Sequence, residues 1–115
     1  MTERHGLVSV VIPTRNRRAF LEEAIASVIA QDYEPWELSV VDDASTDDTA
    51  RFLDGLSDAR VRAIRLVEHG ERSAARNRGL VEARGELVMF LDDDNRLRSN
   101  ALSILVPPLL ADEEA

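Results

Sequence analysis

The sequence contains neither cysteine nor lysine, and each absence excludes a class of chemistry. Without cysteine the chain has no disulfides and no thiolate metal sites, so we expect a protein of the reducing cytoplasm. Without lysine, P-loop phosphate binding and Schiff-base catalysis are excluded, because both depend on a lysine side chain. All fourteen basic residues are arginine, and biased codon usage is enough to explain that preference.

Long apolar runs and an excess of positive charge are also missing. No apolar run approaches the length of a membrane span, and the first residues do not have the form of a secretion signal. A net charge of -8 argues against a nucleic-acid partner, which requires a basic face. The 115 residues, 44% of them hydrophobic, predict one domain over residues 1–115.

Apolar segments of strand type and helix type alternate along the chain. Strands are predicted over 7–12, 38–41, 61–66 and 86–91. Helices are predicted over 20–29, then after an N-cap at Thr46, and from Ser73 to a closing Gly85. Pro107 and Pro108 should stop or kink any helix near the end of the chain. The alternation predicts an α/β fold with a parallel sheet and right-handed crossovers.

Three consecutive aspartates, Asp92 to Asp94, follow the last predicted strand. Adjacent carboxylates repel one another, and oxygen ligands suit Mg²⁺ or Mn²⁺, so this cluster predicts a divalent cation. In an extended segment alternate side chains point the same way. We therefore expect Asp92 and Asp94 to face one ligand and Asp93 to face elsewhere. The alternative is a solvated acidic turn.

Polar clusters follow three of the predicted strands, at 13–16, 42–45 and 92–95. Open α/β sheets bind ligands outside the carboxyl ends of their strands, so these clusters predict one binding edge. Considered alone, Asp42 and Asp43 could equally be turn formers. Arginines between residues 71 and 79 lie at a predicted helix start, where a phosphate would find free N–H groups. For Arg78 and Arg84 we favour a solvated helix face.

Four segments together resemble the successive motifs of family 2 glycosyltransferases, which are inverting enzymes of the GT-A fold. The segments are residues 8–16, 41–47, 75–79 and 90–94, and their order and spacing are kept over about residues 7 to 100. The resemblance implies a Rossmann-like nucleotide-binding half with helices on both faces of a sheet ordered 3-2-1-4. It also implies a nucleotide-diphosphate-sugar donor.

The resemblance assigns expected roles to individual residues. Asp43 corresponds to the carboxylate that reads the base, which favours a UDP sugar and leaves guanine or thymine nucleotides open. Asp94 corresponds to the metal-binding aspartate, which would hold Mg²⁺ or Mn²⁺. Arg15 stands where the family more often has tyrosine. The other expected donor-binding residues are Pro13, Thr14, Arg72 or Arg76, Asp92 and Asp93.

The resemblance covers the donor site but not the catalytic base, which the family carries in a C-terminal half. We interpret Asp112, Glu113 and Glu114 as a solvated tail, and the domain as truncated before the acceptor-binding half. The acceptor is unknown. An uncovered edge of the fourth strand would then favour self-association. His5 is expected in a disordered end and His69 in an exposed loop.

Three other protein classes share features with this sequence. A phosphoacceptor receiver domain has a similar length and an acidic pocket. The receiver family, however, has a lysine after the last strand, and this chain contains no lysine. A sugar nucleotidyltransferase would have a glycine-rich loop after the first strand, and residues 13–18 contain no glycine. A non-catalytic nucleotide-sugar-binding or assembly module remains the main alternative.

Overall fold

The central element is a four-stranded parallel sheet in the computed structural model, which describes residues 6–70 and 72–114. The strands are β1 (Val8–Thr14), β2 (Trp36–Asp43), β3 (Val61–Leu66) and β4 (Leu87–Phe90). Their order is β3-β2-β1-β4, and every neighbouring pair is parallel. The predicted α/β class and the strand order 3-2-1-4 are confirmed.

Helices cover both faces of the sheet, as the buried residues show. The helices are α1 (Arg18–Ile29), α2 (Thr49–Asp54), α3 (Arg72–Glu82) and α4 (Ala101–Glu114). Alternate residues of β1 point to opposite faces. Val10 and Ile12 belong to the larger apolar cluster, which includes residues of α1, α2 and α4. Val11 belongs to a smaller cluster that includes Ala75 of α3.

Gly79 allows α3 to approach β1 closely. A Cβ atom at this position would lie 2.3 Å from Cγ1 of Val11, well inside van der Waals contact. α3 can therefore pack this closely on the face of the sheet with the smaller apolar cluster only because residue 79 has no side chain. This close approach fixes the start of α3 beside the carboxyl ends of the strands.

Of the two expectations for Pro107 and Pro108, that they stop a helix or that they kink it, the first is wrong, since α4 continues across both of them to Glu114. The reason is tertiary packing. Leu102 and Val106 are 1% and 2% exposed, and Leu110 packs against the same cluster beyond the prolines. Gln31 helps to start the helix, because its side-chain oxygen accepts a hydrogen bond from the Leu102 N–H at 3.0 Å.

Two predicted helix boundaries are also wrong. Thr46 does not cap α2, because its N–H donates to Oδ1 of Asn16 and the helix begins at Thr49, whose N–H donates to the Asp47 carboxylate. Gly85 does not close α3, because that helix ends at Glu82. The N–H of Gly85 instead donates to Oγ of Ser9 at 2.8 Å. Within the described residues no helix is long and apolar enough to cross a membrane.

Candidate active site

The carboxyl ends of the strands form a cavity of about 200 Å³. β1 ends at Thr14 and β2 ends at Asp43, while Asp92 and Asp93 follow β4. The predicted binding edge therefore contains a concave site. Its lining residues are Pro13, Thr14, Arg15, Arg17, Asp43, His69, Ala75, Asp92 and Asp93.

Asp93 is the buried carboxylate on the β4 side of the cavity, with 7% of its surface exposed. Its Oδ2 accepts a hydrogen bond from Oγ1 of Thr14 at 2.9 Å, which joins the ends of β1 and β4. Its Oδ1 lies 3.4 Å from Nη1 of Arg17. The same Nη1 lies 3.4 Å from Oδ2 of Asp94, so one guanidinium contacts two consecutive carboxylates.

The three aspartates do not alternate as an extended segment would. The Asn95 N–H donates to the carbonyl oxygen of Asp92 at 3.0 Å, which closes a turn. As a result Asp92 and Asp93 both line the cavity, whereas Asp94 does not and its side chain is 48% exposed. The expectation that Asp92 and Asp94 face one ligand while Asp93 faces elsewhere is wrong, because it assumed extended backbone.

Asp43 is the buried carboxylate on the β2 side, with 5% of its surface exposed. Its Oδ1 accepts a hydrogen bond from the Gly70 N–H at 2.8 Å, and its Oδ2 lies 2.7 Å from Nδ1 of His69. The segment after β3 is therefore anchored on this carboxylate. His69 is 53% exposed at its side chain, as expected of a loop residue, yet it also lines the cavity.

The arginines of the α3 region separate into two groups. Nη2 of Arg76 lies 3.7 Å from Oδ1 of Asp92, and its guanidinium lies 5.6 Å from the centre of the Phe90 ring. Arg72 begins α3, but its side chain lies outside the described residues, so the choice between Arg72 and Arg76 stays a prediction. Arg78 pairs with Glu82 and Arg84 with Glu37, and neither lines the cavity.

Asn16 joins two of the segments that carry the site. It adopts a left-handed backbone conformation with φ of 56°. Its Oδ1 accepts hydrogen bonds from the N–H groups of Thr46 and Asp47, at 2.7 and 3.2 Å. Its own N–H donates to Oγ of Ser45 at 3.0 Å. These contacts fix the distance between the segment after β1 and the segment after β2.

The donor atoms near the cavity fit a hard divalent cation. Among the described residues no three acidic or histidine side chains form a ready-made metal cage. Mg²⁺, however, is commonly held by one or two carboxylates together with substrate phosphates and water. Asp94 offers half-exposed carboxylate oxygens, and they already lie against a cationic group, the guanidinium of Arg17. The carboxylates of Asp93 and Asp94 thus suit a positive charge.

Sequence reasoning missed Arg17 and undervalued His69 and Asn16. A signal was available for both Arg17 and Asn16, since Asn16 lies in the polar cluster at 13–16 that predicts the binding edge and Arg17 is the next residue. For His69 no local signal exists, because its contact with Asp43 joins residues 26 positions apart.

A protein-family model described as Glycosyl transferase family 2 matches residues 9–115. A curated relative is the GalNAc(5)-diNAcBac-PP-undecaprenol beta-1,3-glucosyltransferase of Campylobacter jejuni, which is 41% identical over 102 residues. That match covers 86% of this chain and 33% of the relative. The chain spans 33% to 41% of the length of the first curated relatives that it matches.

Two solved structures are similar to this fold at 30% sequence identity. S. aureus TarS in complex with UDP-GlcNAc gives a TM-score of 0.81, and the match covers 92% of this chain and 31% of the TarS chain. The mannosyltransferase PcManGT from Pyrobaculum calidifontis, in complex with GDP-Man and Mn²⁺, gives a TM-score of 0.74. That match covers 90% of this chain and 31% of PcManGT.

Proposed function

The chain belongs to glycosyl transferase family 2, and from that membership we propose that it binds a nucleotide-diphosphate sugar for transfer to an acceptor hydroxyl with inversion. One observation carries the proposal. Thr14, Asp43 and Asp93, which come from the ends of three different strands, line one cavity at the carboxyl edge of the sheet. In this proposal the chain is a single donor-binding domain, and the acceptor-binding half with its general base lies outside it.

Asp43 is the residue that we propose reads the nucleobase. An ionised carboxylate only accepts hydrogen bonds, so it selects a base that presents a ring N–H. Uracil, thymine and guanine offer such a donor, whereas the corresponding ring nitrogen of cytosine is an acceptor. Similar structures contain UDP-GlcNAc in one case and GDP-Man in another. We favour a UDP sugar for this chain.

Other lining residues, together with an arginine of α3, would hold the rest of the donor. Pro13, Thr14 and Arg15 would contact the nucleoside, and Asp92 and Asp93 would accept hydrogen bonds from ribose and sugar hydroxyls. Arg76, or Arg72, would approach the diphosphate, which guanidinium groups recognise well.

We propose that Asp94 binds a divalent cation, Mg²⁺ or Mn²⁺. When bound, such an ion neutralises the negative charge that develops on the departing nucleoside diphosphate. The similar structure of PcManGT contains Mn²⁺ together with GDP-Man. The neighbouring carboxylate of Asp93 is held in place by its hydrogen bond with Oγ1 of Thr14 at 2.9 Å.

A non-catalytic nucleotide-sugar-binding module is the second candidate, and one observation favours it. The three carboxylates that line the cavity all have partners within the chain: Asp43 contacts His69, Asp92 contacts Arg76, and Asp93 contacts Thr14 and Arg17. None of the three stands ready to deprotonate an acceptor. Release of UDP from a UDP sugar by this chain would argue for the enzyme over the module.

Location and assembly belong to the same proposal. The lack of cysteine supports a cytoplasmic location. β4 lies at one end of the strand order, and its Val88 and Phe90 are 37% and 42% exposed. We propose that this edge allows two copies of the chain to associate.

A thermal-shift panel tests the donor proposal. The chain is heated with UDP, GDP, dTDP or CDP, each with and without Mn²⁺. We expect UDP with Mn²⁺ to stabilise the folded chain most and CDP to stabilise it least. A ligand present at a hundred times its dissociation constant raises the free energy of unfolding by about 2.7 kcal/mol. No stabilisation by any nucleotide in the presence of Mn²⁺ would contradict the proposal.

A further inference from the structure

Arg17 is the only cationic side chain among the described residues that contacts two of the three consecutive aspartates. Its Nη1 lies 3.4 Å from Oδ1 of Asp93 and 3.4 Å from Oδ2 of Asp94. Both carboxylates follow β4, whereas Arg17 directly precedes α1. One positive charge is therefore shared by two negative charges at the rim of the cavity.

The contacts of Arg17 with the two aspartates are weak. Its 3.4 Å distances are long for a charge-assisted hydrogen bond, and the side chain of Arg17 is 48% exposed. By comparison Arg60 holds Asp58 through two contacts, at 2.8 and 3.0 Å. In the pair with Asp94 both side chains are 48% exposed, and exposed ion pairs of this kind contribute little stability, so a competing cation can displace the guanidinium there.

The backbone of Arg17 is fixed even though its side chain is loosely held. Its carbonyl oxygen accepts a hydrogen bond from the Leu21 N–H at 2.9 Å, the first of α1. The neighbouring Asn16 is held by the segment after β2. Any movement of the guanidinium is therefore a rotation of the side chain alone, within the cavity that Arg17 lines.

We propose that Arg17 is an exchangeable counter-ion, which occupies the cation position at Asp93 and Asp94 until a divalent cation replaces it. This inference rests on the proposed function for the identity of the cation. The displaced guanidinium stays in the cavity, where a nucleoside diphosphate offers it new oxygen partners. Cation binding and diphosphate binding are then coupled through one side chain, because the first ligand frees the group that the second ligand needs.

The proposal predicts opposite effects of one substitution on two ligands. In Arg17→Gln the competing charge is gone, so Mn²⁺ should bind the nucleotide-free chain about fivefold more tightly than it binds the original chain. With Mn²⁺ saturating, the same variant should bind UDP about tenfold more weakly, since a charge-assisted contact to the diphosphate is lost. Both affinities are measured by isothermal titration calorimetry.

Arg96→Gln is the matched control. Arg96 is 69% exposed at its side chain and pairs with Glu23, and it does not line the cavity. It carries the same change in net charge, and we expect both affinities to stay within about twofold of the original values because distant exposed charges are screened. Equal effects of the two substitutions, or weaker Mn²⁺ binding in Arg17→Gln, would overturn the proposal.

A second measurement uses the unaltered chain and needs no nucleotide. NMR signals of the arginine Nε–Hε groups are followed while Mg²⁺ is added. We expect the Arg17 signal to move and the Arg96 signal to stay. A stationary Arg17 signal at Mg²⁺ saturation would overturn the exchange. If UDP failed to bind while Mg²⁺ still displaced Arg17, the proposed donor would be wrong and the exchange would stand.

Discussion

Each carboxylate at the cavity is already matched by a donor from the chain itself. Asp43 contacts His69 and Gly70, and Asp93 contacts Thr14 and Arg17. A ligand that binds at such a site replaces the partners that these carboxylates already have within the chain. The affinity of each ligand therefore depends on which of these internal contacts it can replace.

Asp43→Ala should weaken UDP binding about tenfold or more, whether or not Mn²⁺ is present. The physical reason is the loss of the acceptor for the ring N–H of uracil, a contact that does not involve the cation. Calorimetric titration with UDP measures the change. An unaltered affinity would remove Asp43 from the base-reading role.

Asp94→Asn should change only the metal-dependent part of the UDP affinity. We expect Mn²⁺ to lose its ability to strengthen UDP binding, while the affinity for UDP without metal stays within about twofold, because an exposed carboxylate outside the cavity contributes little by itself. Asp54→Asn, an exposed aspartate on α2, is the control with the same charge change. If the Mn²⁺ response survived in Asp94→Asn, another group would have to hold the metal.

At this scale the sequence predicts the acids and misses their partners. Asp43, Asp92 and Asp93 can be predicted because they directly follow apolar strand segments, which is a local pattern. Arg17 and His69 contact acids 76 and 26 positions away. Only the parallel sheet brings these residues together, because it places the end of β1 beside that of β4 and the end of β3 beside that of β2.

At the scale of elements, a polar network at the opposite edge of the sheet ties three segments together. Glu37 of β2 is 7% exposed. It accepts hydrogen bonds from Oγ of Ser9 and from the N–H and Nε of Arg84, the latter two at 2.8 and 3.0 Å. The network links β2, β1 and the connection between α3 and β4, and it holds β4 in register.

Glu37→Gln should lower the free energy of unfolding by about 2–3 kcal/mol at pH 7, because the amide turns a donor toward Ser9 or Arg84. Urea denaturation measures the loss. Glu23→Gln, at an exposed position paired with Arg96, is the control and should change stability by less than about 0.5 kcal/mol. Equal effects would contradict a structural role for the network.

The same network predicts a dependence on pH. Burial raises the pKa of Glu37, but hydrogen bonds from Ser9 and Arg84 together hold the pKa below its usual 4.5. A lowered pKa in the folded state means that the stabilisation is full above pH 4.5 and is lost as the pH falls through the lower value. The difference in stability between Glu37→Gln and the original chain should therefore shrink as the pH falls below 4.5.

The elements show where local rules suffice and where they fail. The four strands, three of the helices and the strand order follow from apolar periodicity and from the family resemblance. The end of the chain does not, since packing of Leu102, Val106 and Leu110 outweighs the helix-breaking tendency of Pro107 and Pro108. The turn at Asp92–Asn95 was only the alternative interpretation, because three aspartates after a strand do not show where extended backbone ends.

At the scale of the whole molecule, the sheet presents an edge at β4. Among the described strands β4 pairs only with β1. The chain also spans only 33% to 41% of the length of its first curated relatives. In this chain, studied alone, that edge is the surface on which we expect a second copy to add its own strand.

Val88→Lys should reduce this self-association, because a charged side chain on an edge strand disfavours pairing. Sedimentation velocity over a range of concentrations measures the change. Ile104→Lys is the control, since Ile104 is 60% exposed and lies on α4, which is not part of the sheet. A monodisperse monomer in the original chain at high concentration would rule the association out.

The binding of a nucleoside diphosphate at the carboxyl edge is tested most directly by backbone amide NMR during titration with UDP and Mg²⁺. The largest shifts should fall on residues 13–17, 42–45, 69–70, 72–76 and 92–95, the segments that contain the lining residues. Shifts concentrated instead around Glu37, Arg62 and Arg84, at the second cavity on the opposite edge, would contradict the assignment of the site.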